Sequence, residues 1–391
     1  MKILVLGAGK MGYAVAFDLI RSPRIEQVIV ADNCQEQLDR LTSRLVDDKL
    51  RSVKVDITNH HELVKAMMGC DVAMSCVPYF HNYLLAKAAL EAKISFCDLG
   101  GNEQIVEKEF LLHETAKERN ITLIPDLGLA PGLVSILTVA AAQGFQEIYE
   151  IKVRVGGVPV EPDGLLMNYC QVFAIDGLIN EYAEDVTVIR NGELKKVPAL
   201  TELETIEFPR PFKMMEAFTT SGGISTLPQT FLGRVQHLDY KTIRYPGHCA
   251  QVRLLRNLGL MSQEPLNLSV GEVKPRAVLT RLLEKSLKTD EPDAVLIRVT
   301  VNGIKRREPV ESVWECIDYA DQANQLSAMM RMTAFPASIV AQMIARGDIT
   351  TRGVLKQEDC VPVKLFLAEL SSRGINFAIS EHAPSVVHLV E

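Results

Sequence analysis

The sequence predicts an α/β protein. An N-terminal Rossmann-type doubly wound parallel sheet is followed by an α+β substrate-binding and oligomerisation domain with a mixed or antiparallel sheet. Three observations lead there: short apolar runs alternate with helix-spaced stretches over residues 1–130, the first run ends in a glycine-rich turn, and beyond residue 142 strands and hairpin turns take over. At 391 residues the chain is also too long for one ordinary core.

In the first domain the strand-like runs are Ile3–Leu6, Val28–Ala31, Val53–Val55, Val72–Cys76, Ser95–Cys97 and Thr122–Ile124. Between them Met11, Val15 and Leu19, and later Leu84, Ala88 and Ala92, recur at helical spacing. Strands alternating with helices imply parallel pairing through right-handed crossovers. The first run ends in Gly7-Ala8-Gly9-Lys10-Met11-Gly12. Gly7 permits a tight turn, Gly9 leaves room for a pyrophosphate against the backbone, and Gly12 lets the next helix pack on the strand. The N–H groups and dipole of that helix would receive the phosphates. A second strand ends at Asp32, twenty residues after Gly12, completing the dinucleotide fingerprint.

Asp32, followed by Asn33, favours NAD, because a carboxylate accepts from ribose hydroxyls and repels a 2′-phosphate. Later strand ends should line the same crevice: Asp56 and Ile57 beside the adenine, Cys76, Val77 and Pro78 towards the nicotinamide, then Asp98 and Gly100. Cys76 and Cys97 read as small core residues. The segment from Ile124 to Gly132 forms the exit, giving expected boundaries of 1–131, 132–333 and 334–391. The last segment, with helices at Pro336–Ala345 and Pro362–Arg373, should return to the NAD domain.

The second domain reads as strands at Glu150–Val155, Val186–Arg190, Met214–Thr219, Val235–Arg244, Val295–Val301 and Glu311–Tyr319. Asn191-Gly192 and Asn302-Gly303 signal hairpin turns, and helical patterns cover 170–184, 247–259 and 275–288.

Net charge is −7 without acidic or basic runs, so nucleic acid is not an expected partner. No apolar run is long enough to span a bilayer, and no membrane partner is expected. The eight cysteines include no C-x-x-C pair and the histidines no metal spacing, which suits reduced thiols in a cytoplasmic protein without a metal.

Gly7–Gly12, Val77-Pro78-Tyr79, Ser95–Gly101 and Asp126–Gly132 resemble the saccharopine dehydrogenase-like family. Glu216–Gly223, Tyr240–His248 and Ala345–Gly353 are similar to its L-lysine 6-dehydrogenase branch. The resemblance implies NAD-dependent oxidative deamination of the lysine ε-amine to allysine, which cyclises to 1-piperideine-6-carboxylate. It also implies a homo-oligomer, a dimer or larger, formed through the second domain.

Such chemistry needs a neutral amine, an anchored far end, and the nicotinamide against the carbon that loses hydride. Asp126, at the end of the sixth strand, is a candidate acid/base or amine-binding group, or else a helix cap. Arg244 is the preferred clamp for the substrate carboxylate, with an ion-paired surface arginine as the alternative. It shares a strand face with Tyr240 and Thr242, whereas Lys241, a second catalytic candidate, points the other way. His248 could relay a proton near neutral pH or simply open a helix. Glu216 could pair with the α-ammonium or be a solvated carboxylate, and Tyr169 is a further pocket candidate. Competing readings are a saccharopine-type enzyme acting on a secondary amine and a catalytically silent NAD-binding regulator.

Overall fold

β1 (Lys2–Leu6) is buried along Ile3–Leu6, as a central strand covered on both faces must be. It belongs to a sheet with β2 (Gln27–Asp32), β3 (Leu50–Lys54), β4 (Val72–Ser75), β5 (Ser95–Asp98) and β6 (Thr122–Ile124). The computed structural model, which describes residues 1–269 and 271–384, orders these strands β3-β2-β1-β4-β5-β6, all parallel. The order reverses at β1 and β4, so the crevice for a ligand opens at their carboxyl ends.

The chain forms two units: Met1–Leu137 with Met330–Asn376, and Thr138–Met329 with the segment that starts at Phe377. In the first unit a short strand, Gly353–Val354, extends the sheet beyond β6. Arg373 donates to buried Asp18 (2.6 Å), as does Ser338 (2.6 Å), pinning the later segment to the helix Lys10–Arg21. The expected third segment, 334–391, is divided: residues up to Asn376 join the first unit, but the strand Ala378–His382 does not. That strand is exposed throughout, so no apolar periodicity announced it, and its place comes from backbone pairing and surface charges. Positions 385–391 of that segment lie outside the described residues.

The second unit is built on β7 (Phe145–Pro159), β8 (Val186–Arg190), β9 (Glu193–Val197), β10 (Glu204–Phe208), β11 (Lys213–Thr219) and β12 (His237–Arg244). A separate hairpin, β13 (Leu266–Leu268) and β14 (Gly271–Val273), precedes the long strands β15 (Asp293–Lys305) and β16 (Glu308–Tyr319). The sheet runs β10-β11-β12-β7-β15-β16 and ends on Ala378–His382. Only β12 and β7 are parallel among these neighbours, so the sheet is mixed. Val158, Phe208, Phe212, Met215, Ile243 and Leu296 form one of its cores.

Asn191 and Gly192, with φ of 54° and 75°, make the expected β8–β9 turn. Asn302-Gly303 does not turn the chain: β15 continues to Lys305, and Arg306 and Arg307 take up the left-handed conformation instead. Gly303 sits at a register shift against β7, where a Cβ would lie 2.1 Å from the Glu147 carbonyl oxygen. Its glycine serves a bulge and a close backbone approach. The helix expected over 170–184 is confined to Ile175–Ala183, and those over 247–259 and 275–288 occupy His248–Asn257 and Pro275–Ser286. Among the described residues no helix is long and apolar enough to cross a membrane.

Candidate functional site

In the first unit the turn after β1 is closed on two sides and open on the third. A Cβ on Gly12 would stand 1.8 Å from the Gly7 carbonyl oxygen, so only glycine lets the helix Lys10–Arg21 start this close to β1. Gly7 has φ of 104° and packs against Cys76 and Val77 at the end of β4. At Gly9 a Cβ would meet nothing within 4 Å, leaving a cradle beside the helix N-terminus. Lys10 is exposed and Met11 half-buried at its rim. This backbone fits a dinucleotide pyrophosphate. The Asp32 carboxylate accepts from Ala8 N (2.7 Å) and Cys34 N (2.8 Å), which holds it at the end of β2 beside exposed Asn33.

The other expected strand ends vary in character. Asp56 is exposed, and hydrogen bonds from the Thr58 side chain and backbone hold its pKa below the usual carboxylate range. Ile57 is half-buried and Pro78 exposed. Cys76 is pushed up to about 12 and Cys97 well above its usual value, both by burial, so neither is a thiolate. Asp98 is fully buried and accepts from Gly100 N (2.7 Å) and Asp126 N (3.3 Å). Asp126 is also buried, with a left-handed φ of 62°, and a Cβ on Gly100 would fall 1.8 Å from its Oδ1. The helix Glu103–Phe110 brings Glu109 back against Asp98. Sequence reasoning missed Glu109. Its signal was an acid three residues after Val106, on the one face this short helix buries.

The second unit assembles a separate polar cluster around Arg244. Tyr240, Thr242 and Arg244 share a face of β12, as strand alternation requires. Gly223 packs on the Tyr240 ring, where a Cβ would come within 2.3 Å. Arg244 is buried; its Nε donates to Tyr182 Oη (3.1 Å) and its guanidinium lies 4.8 Å from the Tyr169 ring centroid. Tyr182 Oη is 2.9 Å from His248 Nε2, and His248 Nδ1 is 3.0 Å from the Met167 carbonyl oxygen. A carbonyl only accepts, so Nδ1 carries the proton and Nε2 accepts from the Tyr182 hydroxyl. Burial and then the Arg244 charge lower the His248 pKa to about 3. His248 is therefore neutral throughout the physiological range, not the neutral-pH titrating group its residue type suggested.

Partly exposed Glu181 lies 3.9 Å from Arg244 Nη2; burial, opposed by Arg244, pushes its pKa up to about 7. The Tyr169 hydroxyl is buried with no hydrogen-bond partner among the described residues. Tyr182 and Glu181, both on the helix Ile175–Ala183, were not identified from sequence. A tyrosine at a buried helical position reads as core until its hydroxyl finds Arg244.

Lys241 lies on the opposite face of β12 and donates to Glu204 (2.7 Å). Arg154 pairs with Glu204 and with Asp239 (2.6 Å), which Arg190 also contacts (2.9 Å). Lys241 thus sits in a structural ion network away from Arg244. Glu216 accepts from Gly247 N (3.0 Å) and Cys249 N (2.6 Å), so both its oxygens cap the helix His248–Asn257. It is neither solvated, being buried, nor left with a free oxygen for an ammonium.

Comparison with known proteins bears on both units. Residues 3–124 match the family model described as saccharopine dehydrogenase NADP binding domain, and residues 128–375 match that of the saccharopine dehydrogenase C-terminal domain. A carboxynorspermidine synthase of Vibrio cholerae is 25% identical over 417 residues, covering 98% of each chain. A carboxyaminopropylagmatine dehydrogenase of Synechocystis is 20% identical, covering 96% of each. Among solved structures, saccharopine dehydrogenase (L-Glu forming) from Saccharomyces cerevisiae has the same fold, with a TM-score of 0.81 at 17% identity over 98% of this chain and 100% of that one. The chain belongs to the saccharopine dehydrogenase family and is an NAD(P)-dependent oxidoreductase.

Proposed function

We propose that the protein is an NAD-dependent L-lysine 6-dehydrogenase, oxidising the ε-amine to an imine that water converts to allysine and ammonia. Unmet hydrogen bonding around Arg244 carries this reading. Arg244 Nη2 has only Glu181 at 3.9 Å, and the Tyr169 hydroxyl has no partner among the described residues. A buried cation beside an unpaired donor suits one carboxylate, here that of lysine. Glu181, poised near neutrality, is suited to the α-ammonium or to accepting a proton from an amine. Asp126 is the corresponding candidate in the first unit.

The bound cofactor would take up the hydride from the substrate carbon. Gly7, Gly9 and Gly12 would admit its pyrophosphate, and the Cys76–Pro78 and Asp98–Gly100 segments would flank it. NAD rather than NADP is supported by Asp32. Arg40, the nearest following arginine, lies exposed in the helix Gln35–Arg44, in a surface ion pair with Glu36 (3.0 Å).

The full-length relatives, by their names, favour a second reading: a carboxylated secondary amine as substrate. A substrate of the saccharopine type, with a second anionic arm, would call for a second cation near Arg244, whereas one carrying a single carboxy group would not. The other basic residues of 241–253 do not supply it: Lys241 is bound to Glu204, and Arg253 donates to the Leu200 carbonyl (2.6 Å). We also propose that the protein is a homo-oligomer; exposed Leu254, Leu258, Leu266 and Leu268 in the second unit support this. Purified protein should reduce NAD with L-lysine between about pH 7 and 10, where the ε-amine approaches its ordinary pKa. Turnover of saccharopine or carboxynorspermidine but not lysine would transfer the assignment to the second reading. Cofactor binding without turnover of any of them would leave a regulator.

A further inference from the structure

We propose that Asp98 and Glu109 share one buried proton, and that Glu109 is a positioning residue for the Asp98–Gly100–Asp126 end of the first sheet. Asp98 is 0% exposed and Glu109 2%, and among the described residues one oxygen of each, Asp98 Oδ2 and Glu109 Oε2, has no donor. The two carboxyl groups nevertheless lie within reach of each other. Two carboxylates are acceptors only, so this contact requires that one of them be an acid.

The remaining contacts show which atoms that proton steadies. Asp98 Oδ1 accepts from Gly100 N and Asp126 N, and the Asn82 side chain lies beside Asp98 and favours its charged form. Ser75, at the end of β4, donates to Asn82 Oδ1 (2.8 Å), fixing that amide with its nitrogen towards Asp98. Gly100 and Asp126 both have left-handed backbones, at φ of 72° and 62°, held by their bonds to one carboxylate oxygen. The titratable groups facing the pair are Asp126 from the end of β6 and Cys97 from β5. Both are acids, and an unprotonated Glu109 would add a third carboxylate to Asp98 and Asp126. The repulsion would act on the backbone that faces the cofactor crevice.

Burial pushes Asp98 up to about 6; burial and the Asp98 charge push Glu109 up to about 11. Both groups being raised by burial, and Glu109 further by the Asp98 charge, the pair keeps one proton at neutral pH. Because the folded-state pKa of Glu109 is raised, its stabilising contribution is complete below the ordinary 4.5 and is lost as pH rises towards 11.

The test is infrared spectroscopy of the intact protein with 13C-labelled glutamate, together with calorimetric titration of NAD in the absence of any amine. At alkaline pH, above the Glu181 value of about 7 and below the Glu109 value of about 11, a protonated-carboxyl C=O band should shift with the label and disappear in Glu109→Gln. That variant keeps an N–H donor for Asp98 and should bind NAD within about threefold of wild type, whereas Glu109→Ala should lose about tenfold or more. Absence of the labelled acid band at that alkaline pH would overturn the shared proton, and the band requires no variant to fold. Equal NAD affinity in Glu109→Ala and wild type, or equal losses in both variants, would overturn the positioning role. None of these readings depends on which amine is the substrate.

Discussion

Each unit buries a polar network, and the two are satisfied in opposite ways. Around Arg244 the hydrogen bonds run in one direction, from the guanidinium to Tyr182, from Tyr182 to His248, and from His248 to the Met167 carbonyl. Each of those donors has an acceptor, and the imidazole is neutral without help. Around Asp98 acceptors outnumber donors, and an added proton must close the account. The Tyr182–His248 relay holds one protonation state and leaves Glu181 and the Tyr169 hydroxyl open to a ligand, while the acceptor-rich Asp98 network ties local structure to pH. The catalytic and structural consequences of mutation should differ accordingly.

The largest effect is expected at Arg244. Arg244→Ala should lower kcat/KM for lysine by about 2–5 kcal/mol of transition-state binding, the cost of removing a buried charged hydrogen bond. Arg244→Lys should not restore it, since an ammonium lacks the planar fork. Steady-state kinetics check both, and wild-type efficiency in Arg244→Ala would remove this residue from the site. Tyr182→Phe keeps the ring but strands Arg244 Nε and His248 Nε2, at a cost of about 1–3 kcal/mol of stability. Chemical denaturation would reveal it; no change would mean the relay is not paired as drawn.

Stability against pH sharpens the comparison further. His248, with its folded pKa lowered to about 3, contributes stability that is complete above its ordinary 6.5 and is lost as pH falls. Glu109 acts with the opposite sign on the alkaline side. His248→Gln should flatten the acid limb of a Tm–pH curve and Glu109→Gln the alkaline limb, each by at most about 1.4 kcal/mol per pH unit. Identical curves for wild type and either variant would contradict that assignment. The smallest effect is expected from Asp32→Ser, which removes repulsion of a 2′-phosphate and should shift the NAD to NADP preference by about tenfold. Measured affinities for the two dinucleotides test it.

Much of the first unit was legible because its cues are local. An apolar run, a glycine turn and an amphipathic helix specify each βα step, and Gly12 cannot be replaced without striking Gly7. In the second unit the β8–β9 turn was readable from Asn191-Gly192, but Asn302-Gly303 misled because a bulge and a turn use the same residues. Alternation along β12 correctly separated Arg244 from Lys241. It could not tell that Glu216, directly opposite Arg244 in the ladder, turns to a helix N-terminus.

The sequence by itself determined the parallel dinucleotide-binding sheet, the acid at the end of β2, and the face of β12 that carries Arg244. These depend on periodicity and on backbone conformations available only to glycine, and both are local properties. Tertiary structure decided the protonation states. Burial beside Arg244 makes His248 a neutral acceptor, and burial beside Asp98 makes Glu109 an acid that keeps its proton. A pKa depends on which groups are brought together away from water, and that is set only when distant segments meet.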